Sequence, residues 1–217
     1  MQSRTKCVVS LVALAVIALS NSTGESRLRS DEEDLDDVLA KSSAAWNNAD
    51  TWQADFTQTR SVSGKSTVKS GHVFFVQPGK IAFRYQRPEE IQVAVAENRV
   101  IAYYPSRKLV HQFTVPFVGN LATVLQLTED PLAIHLLYDV QWAEPKNPAA
   151  YSVEFTPRLG LPLEPDLAKL RVDYNKQTFL PDGFWLFNKQ GGWIHYEYQR
   201  AQVNTKIDEA VFRIDPP

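Results

Sequence analysis

Short segments with alternating apolar and polar residues follow one another at intervals of about ten residues through most of this 217-residue chain. Trp52, Ala54 and Phe56, for example, are separated by polar residues, and Ile81–Tyr85 and Ile91–Val95 repeat the pattern. A period of two is typical of strands that bury one face of a sheet. Turn residues stand between the segments, so the pattern predicts a meandering antiparallel sheet and a mainly β fold with short helices.

The other predicted strands are rich in β-branched and aromatic residues and are also flanked by turn residues. We interpret Gly191-Gly192 as a hairpin turn. No internal repeat or linker interrupts the pattern, so residues 25–217 are expected to form a single domain. These further strands are Val73–Val76, Val100–Tyr104, Leu109–Val115, Val140–Trp142, Tyr151–Thr156, Leu170–Tyr174, Phe184–Phe187, Trp193–Tyr198 and Val211–Ile214.

The segment that follows Ser30 has apolar residues at helical spacing instead. Ser30 and Glu33 fit a capping box, in which each side chain bonds a backbone N–H group near the start of the helix. Asn47-Asn48 is expected to end this helix. Its apolar stripe, which must lie against another part of the protein, consists of Leu35, Val38, Leu39 and Trp46.

Two shorter helices are predicted in the middle of the chain. The first, Asn120–Leu127, repeats apolar residues at helical spacing. The second is opened by Asp130-Pro131, because aspartate is a typical N-cap residue and proline a typical first helical residue. This second helix is expected to run through Leu137.

The first 24 residues have the composition of a secretory signal peptide. Arg4 and Lys6 precede an apolar run from Val8 to Leu19, and small residues follow. The run is shorter than the roughly 18 to 20 residues that a spanning helix needs, and an uncleaved membrane anchor is the alternative interpretation. We expect residues 1–24 to be removed, so that a periplasmic mature protein starts between about Asn21 and Glu25.

The sequence carries no pattern that is typical of a catalytic or metal site. A phosphate-binding loop and a serine elbow are both missing, and the formal net charge of −2 offers no basic field for nucleic acid. The one cysteine, Cys7, lies within the predicted signal peptide, so no disulfide is expected. We therefore expect no enzymatic activity, no cofactor, no metal and no nucleic-acid partner. The histidines, which have no metal-ligand spacing, are His72, His111, His135 and His195.

Two neighbouring predicted strands place apolar side chains at alternating positions of one face. These side chains can form an ordinary core beneath the helices, or part of the face can line a cavity. Periodicity does not distinguish the two, because both bury the same surface. The residues are Ile81, Phe83, Tyr85, Ile91, Val93 and Val95.

The order of elements between Gly71 and Val110 forms a longer pattern. A glycine and a short apolar strand precede Gln77-Pro78, and an apolar-aromatic strand, a proline-led polar turn and two more strands follow, the second ending in Tyr104-Pro105. Phe56–Gln58 lies upstream and Phe212–Pro217 closes the chain. In order and spacing these segments resemble LolA, the family of periplasmic outer-membrane lipoprotein carriers.

The resemblance implies an unclosed, or half, β-barrel of antiparallel strands that is covered by a helical lid. Members of this family shield the acyl chains of lipoproteins, accept them from an inner-membrane ABC lipoprotein-releasing complex and pass them to an outer-membrane acceptor. We expect a monomer that does the same. A carrier of a non-protein acyl lipid associated with an exporter, and a lipid-sensing regulatory interaction module, remain alternative hypotheses.

The resemblance also indicates which residues face the cargo and which belong to the lid. The cargo-facing residues are expected on the inner side of the half-barrel, and the lid residues on the predicted helices. The expected lipid-binding residues are Phe75, Gln77, Ile81, Phe83, Tyr85, Ile91, Val93 and Val95, and the expected lid residues are Leu35, Leu39, Leu121, Leu125 and Ile134.

Gln77 departs from the family pattern. An arginine usually precedes the proline there, and that arginine is implicated in holding the lid and in releasing cargo. Glutamine can donate a hydrogen bond, but it lacks the charge and the five-donor fork of arginine. The resemblance therefore predicts a less firmly held lid, in which Gln77→Arg favours closure and Gln77→Ala has little effect.

Overall fold

One sheet of eleven antiparallel strands dominates the part of the chain that the structure, a computed structural model, describes: residues 33–96, 99–114, 131–158 and 166–214. The helical elements in these ranges are α1 (Leu35–Asn47) and the 3₁₀ helices Pro105–Arg107, Pro131–Leu136 and Glu209–Phe212. The strands are β1 (Thr51–Val62), β2 (Lys65–Val76), β3 (Lys80–Arg87), β4 (Ile91–Ala96), β5 (Arg99–Tyr104), β6 (Leu109–Thr114), β7 (Tyr138–Ala143), β8 (Ala150–Pro157), β9 (Leu167–Asn175), β10 (Pro181–Asn188) and β11 (Trp193–Val203).

The strands follow the order β6-β5-β4-β3-β2-β1-β11-β10-β9-β8-β7 across the sheet. β1 and β11 are therefore neighbours in its middle, while β6 and β7 form its two ends. Within the described residues these two end strands are not hydrogen-bonded to each other, so the sheet does not close. The predicted fold class, an unclosed antiparallel half-barrel with a helix, is confirmed.

Helix α1 lies across one face of this sheet, which we call the inner face. The helix begins at Leu35, and its N-cap is Asp34, whose carboxylate accepts a hydrogen bond of 3.0 Å from the backbone N–H of Asp36. The predicted start at Ser30 is therefore wrong, because Asp34 already caps the first turn and Glu33 precedes the helix. The predicted end is confirmed, since the last helical residue is Asn47.

The other predicted helices have mixed outcomes. Pro131–Leu136 forms a 3₁₀ helix where a short helix was expected, and its last residues precede β7 directly. The predicted helix Asn120–Leu127, with the lid residues Leu121 and Leu125, lies outside the described residues, as do residues 1–24.

The predicted last strand, Val211–Ile214, is wrong. The chain forms the 3₁₀ helix Glu209–Phe212 there, because the Asp208 carboxylate accepts a hydrogen bond of 2.9 Å from the backbone N–H of Ala210. This helix lies against the face of β3 that is turned away from α1, the outer face of the sheet. Arg84 on that face donates hydrogen bonds to the carbonyl oxygens of Val211 and Arg213.

The hairpin of β1 and β2 is longer than the sequence predicts. Its turn is formed by Ser63 and Gly64, whose φ angles of 51° and 77° fit a tight hairpin turn. The polar residues before and after this turn are strands because β1 is hydrogen-bonded to β2 on one side and to β11 on the other. They contain few apolar residues, so the alternation that identifies the other strands is missing here.

Candidate functional site

The register of β2, β3 and β4 brings the predicted lipid-binding residues onto one face. Phe75 is paired with Ile81, which is paired with Val95 on the next strand. Directly paired residues of antiparallel strands point to the same side of a sheet. The same argument applies to the rows Val73–Phe83–Val93 and Gly71–Tyr85–Ile91, so all seven predicted apolar residues share the inner face.

Helix α1 covers part of this face and fills it with large side chains. The Trp46 ring lies 5.0 Å from the Phe75 ring and 5.9 Å from the Trp52 ring, measured between centroids. Val38 and Leu39 on the same helix are fully buried. The sequence-predicted stripe of α1 therefore packs on the inner face, and the predicted lid residue Leu39 belongs to this contact.

A cavity of about 20 Å³ remains between the helix and the sheet. A cavity of that size holds about one water molecule, far less than an acyl chain needs. The helix therefore occupies the space in which a long apolar ligand could lie. The cavity is lined by Trp46, Trp52, Val73, Phe75, Ile81, Phe83, Pro181, Phe184 and Tyr198.

Several of these lining residues were not predicted as site residues. Trp52 belongs to β1, and Phe184 and Tyr198 belong to β10 and β11, which lie on the other side of β1 from β2. Their period-two alternation is visible in the sequence, but the segment that most resembles the family, Gly71 to Val110, does not include them. Only the pairing of β1 with β11 shows that these strands contribute to the same face.

Aromatic rings continue the inner face beyond the cavity. The Phe56 ring lies 5.6 Å from the Phe83 ring and 4.9 Å from the Tyr85 ring, both in edge-to-face geometry. Burial and the neighbouring Tyr196 raise the pKa of Tyr85 well above its ordinary value of 10.0. Tyr85 therefore stays uncharged, and this part of the face is apolar but carries phenol groups.

Gln77 holds the end of α1. Its side-chain Nε2 donates hydrogen bonds of 3.1 Å to the carbonyl oxygen of Trp46 and of 3.2 Å to that of Ala49. The last carbonyl groups of a helix have no partner within the helix, so they need donors from elsewhere. Gln77, in the turn between β2 and β3, bonds one such carbonyl, that of Trp46, which also accepts a 3.0 Å hydrogen bond from the backbone N–H of Ala49, and bonds the Ala49 carbonyl just beyond the helix.

Asn204 holds the same helix end from the other side. Its side-chain Nδ2 donates a 3.0 Å hydrogen bond to the carbonyl oxygen of Asn48, and its Oδ1 accepts one of 2.9 Å from the backbone N–H of Asp50. The sequence did not single out this residue. Asn204 has a φ of 55°, a left-handed conformation that asparagine adopts more readily than most residues. The asparagine itself was therefore the sequence signal for a special backbone role.

The beginning of α1 contacts the 3₁₀ helix Pro131–Leu136. His135 Nε2 lies 2.7 Å from a carboxylate oxygen of Asp36. The predicted lid residue Ile134 is buried in the same core as Leu39, and the predicted lid residue Leu35 is partly buried against it. We call α1 and Pro131–Leu136 together the lid.

The lid encloses polar atoms that the described residues do not satisfy. The indole Nε1 atoms of Trp46 and Trp52 are buried, and neither finds a hydrogen-bond acceptor in the described part of the chain. A buried donor without a partner costs about 1 to 3 kcal/mol.

The described residues contain no group of three or more histidine, cysteine, aspartate or glutamate side chains that could hold a metal ion. Among the same residues, no helix is long and apolar enough to cross a membrane. What these residues do bring together is an apolar groove, formed by the inner face of the sheet and covered by a helix that is held at both ends.

Known proteins resemble this chain in sequence family and in fold. A family model described as "Outer membrane lipoprotein carrier protein LolA" matches residues 47–215. No curated protein matches the chain in sequence. Among solved structures, an uncharacterized conserved protein from Thermus thermophilus is 12% identical with a TM-score of 0.53, over 82% of this chain and 93% of that one.

Two further solved structures are similar at lower TM-scores. A LolA superfamily protein from Nitrosomonas europaea is 10% identical with a TM-score of 0.42, over 82% of this chain and 96% of that one. A structure of the Pseudomonas aeruginosa MucA/MucB complex is 17% identical with a TM-score of 0.46, over 83% of this chain and 60% of that one.

Proposed function

Because the chain belongs to the LolA family of outer membrane lipoprotein carrier proteins, we propose that it carries the acyl chains of lipoproteins in the groove beneath α1. The exported protein accepts them from an inner-membrane ABC lipoprotein-releasing complex. It crosses the periplasm as a monomer and delivers them to an outer-membrane acceptor. The role requires binding and release, and no bond of the cargo is made or broken.

The groove beneath α1 supports this proposal most directly, because side chains of α1 cover the same apolar face that acyl chains would cover. Trp46, Val38 and Leu39 are buried on the inner face, and only about 20 Å³ is left empty. When acyl chains enter, they take the place of these side chains. The inner face is then covered in both states, so loading exposes only the withdrawn side chains of α1 and not the inner face itself.

The free energy gained by burying an acyl chain and the free energy lost by displacing α1 are of suitable sizes for binding followed by release. Burial stabilises an acyl chain by about 0.8 kcal/mol per methylene, so a chain of about 16 carbons gains on the order of 13 kcal/mol. Each large side chain that α1 withdraws from the inner face loses about 1.5 to 3 kcal/mol of burial free energy, which is about 5 to 9 kcal/mol for three side chains. Cargo binding is therefore favourable, but the lid reduces it enough to permit release.

The two buried indole groups also offer hydrogen-bond donors to the cargo. A ligand carbonyl that bonds Trp46 Nε1 or Trp52 Nε1 gains a hydrogen bond that typically contributes about 0.5 to 1.5 kcal/mol. Ester and amide carbonyl groups stand next to the acyl chains of a lipoprotein. These groups are suitable acceptors for the two indoles.

Mass spectrometry of the ligand that co-purifies with the exported protein tests the proposal. We expect acylated peptides, and a Phe83→Glu variant produced in the same cells should yield none. Free acyl lipids without peptide would instead support the carrier of a non-protein lipid. Wild-type protein that carries no acyl compound, and that takes up no acyl probe in vitro, would contradict the proposed function.

A further inference from the structure

Three basic residues lie on the inner face at the end of the β1–β2 hairpin. In the register of these strands Gln58 is paired with Lys69, Arg60 with Thr67 and Val62 with Lys65. Phe56 points to the inner face, and Gln58, Arg60 and Val62 follow it at steps of two residues. Arg60, Lys65 and Lys69 therefore share the face that carries the apolar groove.

The position of Lys69 agrees with this assignment. Its Nζ lies 5.5 Å from the centroid of the Tyr85 ring, on the inner face. Gln58 Nε2 donates a 2.6 Å hydrogen bond to the Tyr196 hydroxyl, so the phenol groups and the basic residues adjoin each other. The groove thus changes from apolar to phenolic to cationic along β1.

The three cations are not neutralised. Within the described ranges, none of Arg60, Lys65 and Lys69 forms an ion pair with a carboxylate, whereas Lys80, Lys169 and Arg171 all do. Arg60 lines a recess of about 160 Å³ together with Val62, Leu186 and Ile194 of the inner face. Asp166 also lines the recess without pairing with Arg60.

The length of the groove suits an amphiphile. Eight residues separate Trp52, beside Trp46, from Arg60, and at about 3.4 Å per residue they span about 27 Å. An acyl chain covers half of a hydrocarbon core of about 30 Å, or about 15 Å. A chain that ends near Trp52 therefore has its polar end near Tyr196, next to Lys69 and about 12 Å short of Arg60, so the rest of a headgroup extends towards Arg60 and Lys65.

We propose that Arg60, Lys65 and Lys69 bind an anionic oxygen group that adjoins the acyl chains of the cargo. The inference rests on the proposed function, and it adds the class of cargo: an acyl compound with a phosphate or a carboxylate in the polar part that follows its acyl chains. The guanidinium of Arg60 offers a planar pair of donors to such a group, and the two lysines add positive charge around it.

Two soluble acyl probes of equal chain length test this inference, one with a phosphate headgroup and one with a neutral sugar headgroup. Their binding is measured below their critical micelle concentrations. The wild-type protein should prefer the phosphate probe. In the triple variant Arg60→Gln, Lys65→Gln, Lys69→Gln, the ratio of the affinity for the phosphate probe to that for the sugar probe should fall about tenfold. Added salt should reduce the same ratio in the wild-type protein. Affinity for the neutral probe should stay unchanged in the variant.

A matched variant with the same change in charge, Lys108→Gln, Lys176→Gln, Lys189→Gln, controls for net charge. It should keep the wild-type preference. A second pair of probes, lipopeptides with aspartate or with asparagine after the acylated residue, tests whether the anionic group is a carboxylate and not a lipid phosphate. A preference for the anionic member of either pair supports the inference.

The inference is overturned if neither pair of probes is discriminated, or if both triple variants behave alike. It is also overturned if the first variant loses only its binding to anionic phospholipid vesicles while its affinities for the monomeric probes are unchanged. The cations would then contact a membrane surface. Failure of the proposed function looks different, because the wild-type protein would then bind neither probe.

Discussion

The side-chain nitrogen of Gln77 lies 3.1 Å from the carbonyl oxygen of Trp46, the residue whose ring fills the groove. This hydrogen bond joins the turn between β2 and β3 to the end of the helix that covers the inner face. Gln77, which stands where the family usually has arginine, thus lies next to the lid.

Replacement of Gln77 should change the rate at which the lid exchanges cargo. Gln77→Ala removes a donor from the Trp46 and Ala49 carbonyl groups, and since that of Trp46 keeps its hydrogen bond from Ala49, we expect the closed state to lose about 0.5 to 1.5 kcal/mol, and an acyl probe to enter roughly two- to tenfold faster. This differs from the small effect that the resemblance alone predicts. Gln77→Arg should slow entry, because a charged donor forms stronger hydrogen bonds.

Stopped-flow fluorescence of an acyl probe measures these rates. Gln199→Ala, which alters an exposed glutamine on β11, is the matched control and should behave as wild type. If all three variants take up the probe at the wild-type rate, Gln77 does not hold the lid in this protein.

A charge on the inner face should abolish acyl binding. Phe83→Glu places a carboxylate between Phe56 and Tyr85, where a long apolar chain could cover it only at a high desolvation cost. We expect no measurable binding of an acyl probe. Val68→Glu introduces the same charge at a position that is 56% exposed, and it should bind normally. Equal binding by both variants would contradict the assignment of the inner face.

Removal of the Trp46 side chain should destabilise the empty protein. Truncation of a fully buried tryptophan costs about 3 to 5 kcal/mol, so the urea midpoint should fall clearly. Trp142→Ala removes a ring that is 38% exposed and should cost much less. A saturating acyl ligand should restore most of the loss in Trp46→Ala, because the ligand replaces the missing ring. A loss that the ligand does not restore would indicate that Trp46 stays in place in both states.

Acidification should destabilise the fold through His195. Its ring stacks on Trp185 at 3.8 Å, and burial, assisted by Lys146 and Arg171, lowers the pKa of His195 below 6.5 despite the opposing effect of Glu197 and Asp173. The unfolded chain therefore binds a proton more readily than the folded one. Stability from this residue is present above pH 6.5 and is lost as the pH falls through the lowered value.

Urea unfolding at about pH 7.5 and about pH 5 measures this loss. His195→Gln should show a smaller difference in unfolding free energy between the two conditions than wild type. His111→Gln, on the edge strand β6, is the matched control. An identical pH dependence of wild type and His195→Gln would contradict the assignment.

The predicted signal peptide gives the simplest prediction. Edman sequencing of the protein exported by its own leader should show a first residue between Asn21 and Glu25. Replacement of Leu14 by arginine should interrupt the apolar run and block export. A membrane-bound product that retains Met1 would instead support the uncleaved anchor.

The sequence predicted the facing of the inner residues better than it predicted what contacts them. Alternation alone places Ile81 and Phe83 on one face, because each residue of a strand reverses the side on which its side chain lies. The hydrogen bonds of Gln77 to α1 depend on where the helix crosses the sheet. No local pattern contains that information.

Two errors have the same origin. Val211–Ile214 alternates like a strand, but its carbonyl groups are bonded to Arg84 in place of a neighbouring strand. The polar hairpin that ends at Ser63-Gly64 does not alternate, yet β11 supplies its hydrogen bonds. In both cases a distant part of the chain decided whether the segment became a strand.

Among the described strands, β6 and β7 end the sheet without pairing with each other, and this has a consequence for the capacity of the groove. A closed barrel has a diameter fixed by its number of strands and their stagger, so its interior can widen only if a ladder of hydrogen bonds breaks. This sheet can change its twist and move β6 away from β7 while every ladder from β6 to β7 stays intact. The cross-section of the groove can therefore change without the loss of a ladder, and under the proposed function the protein would then accommodate cargo with a single acyl chain or with several.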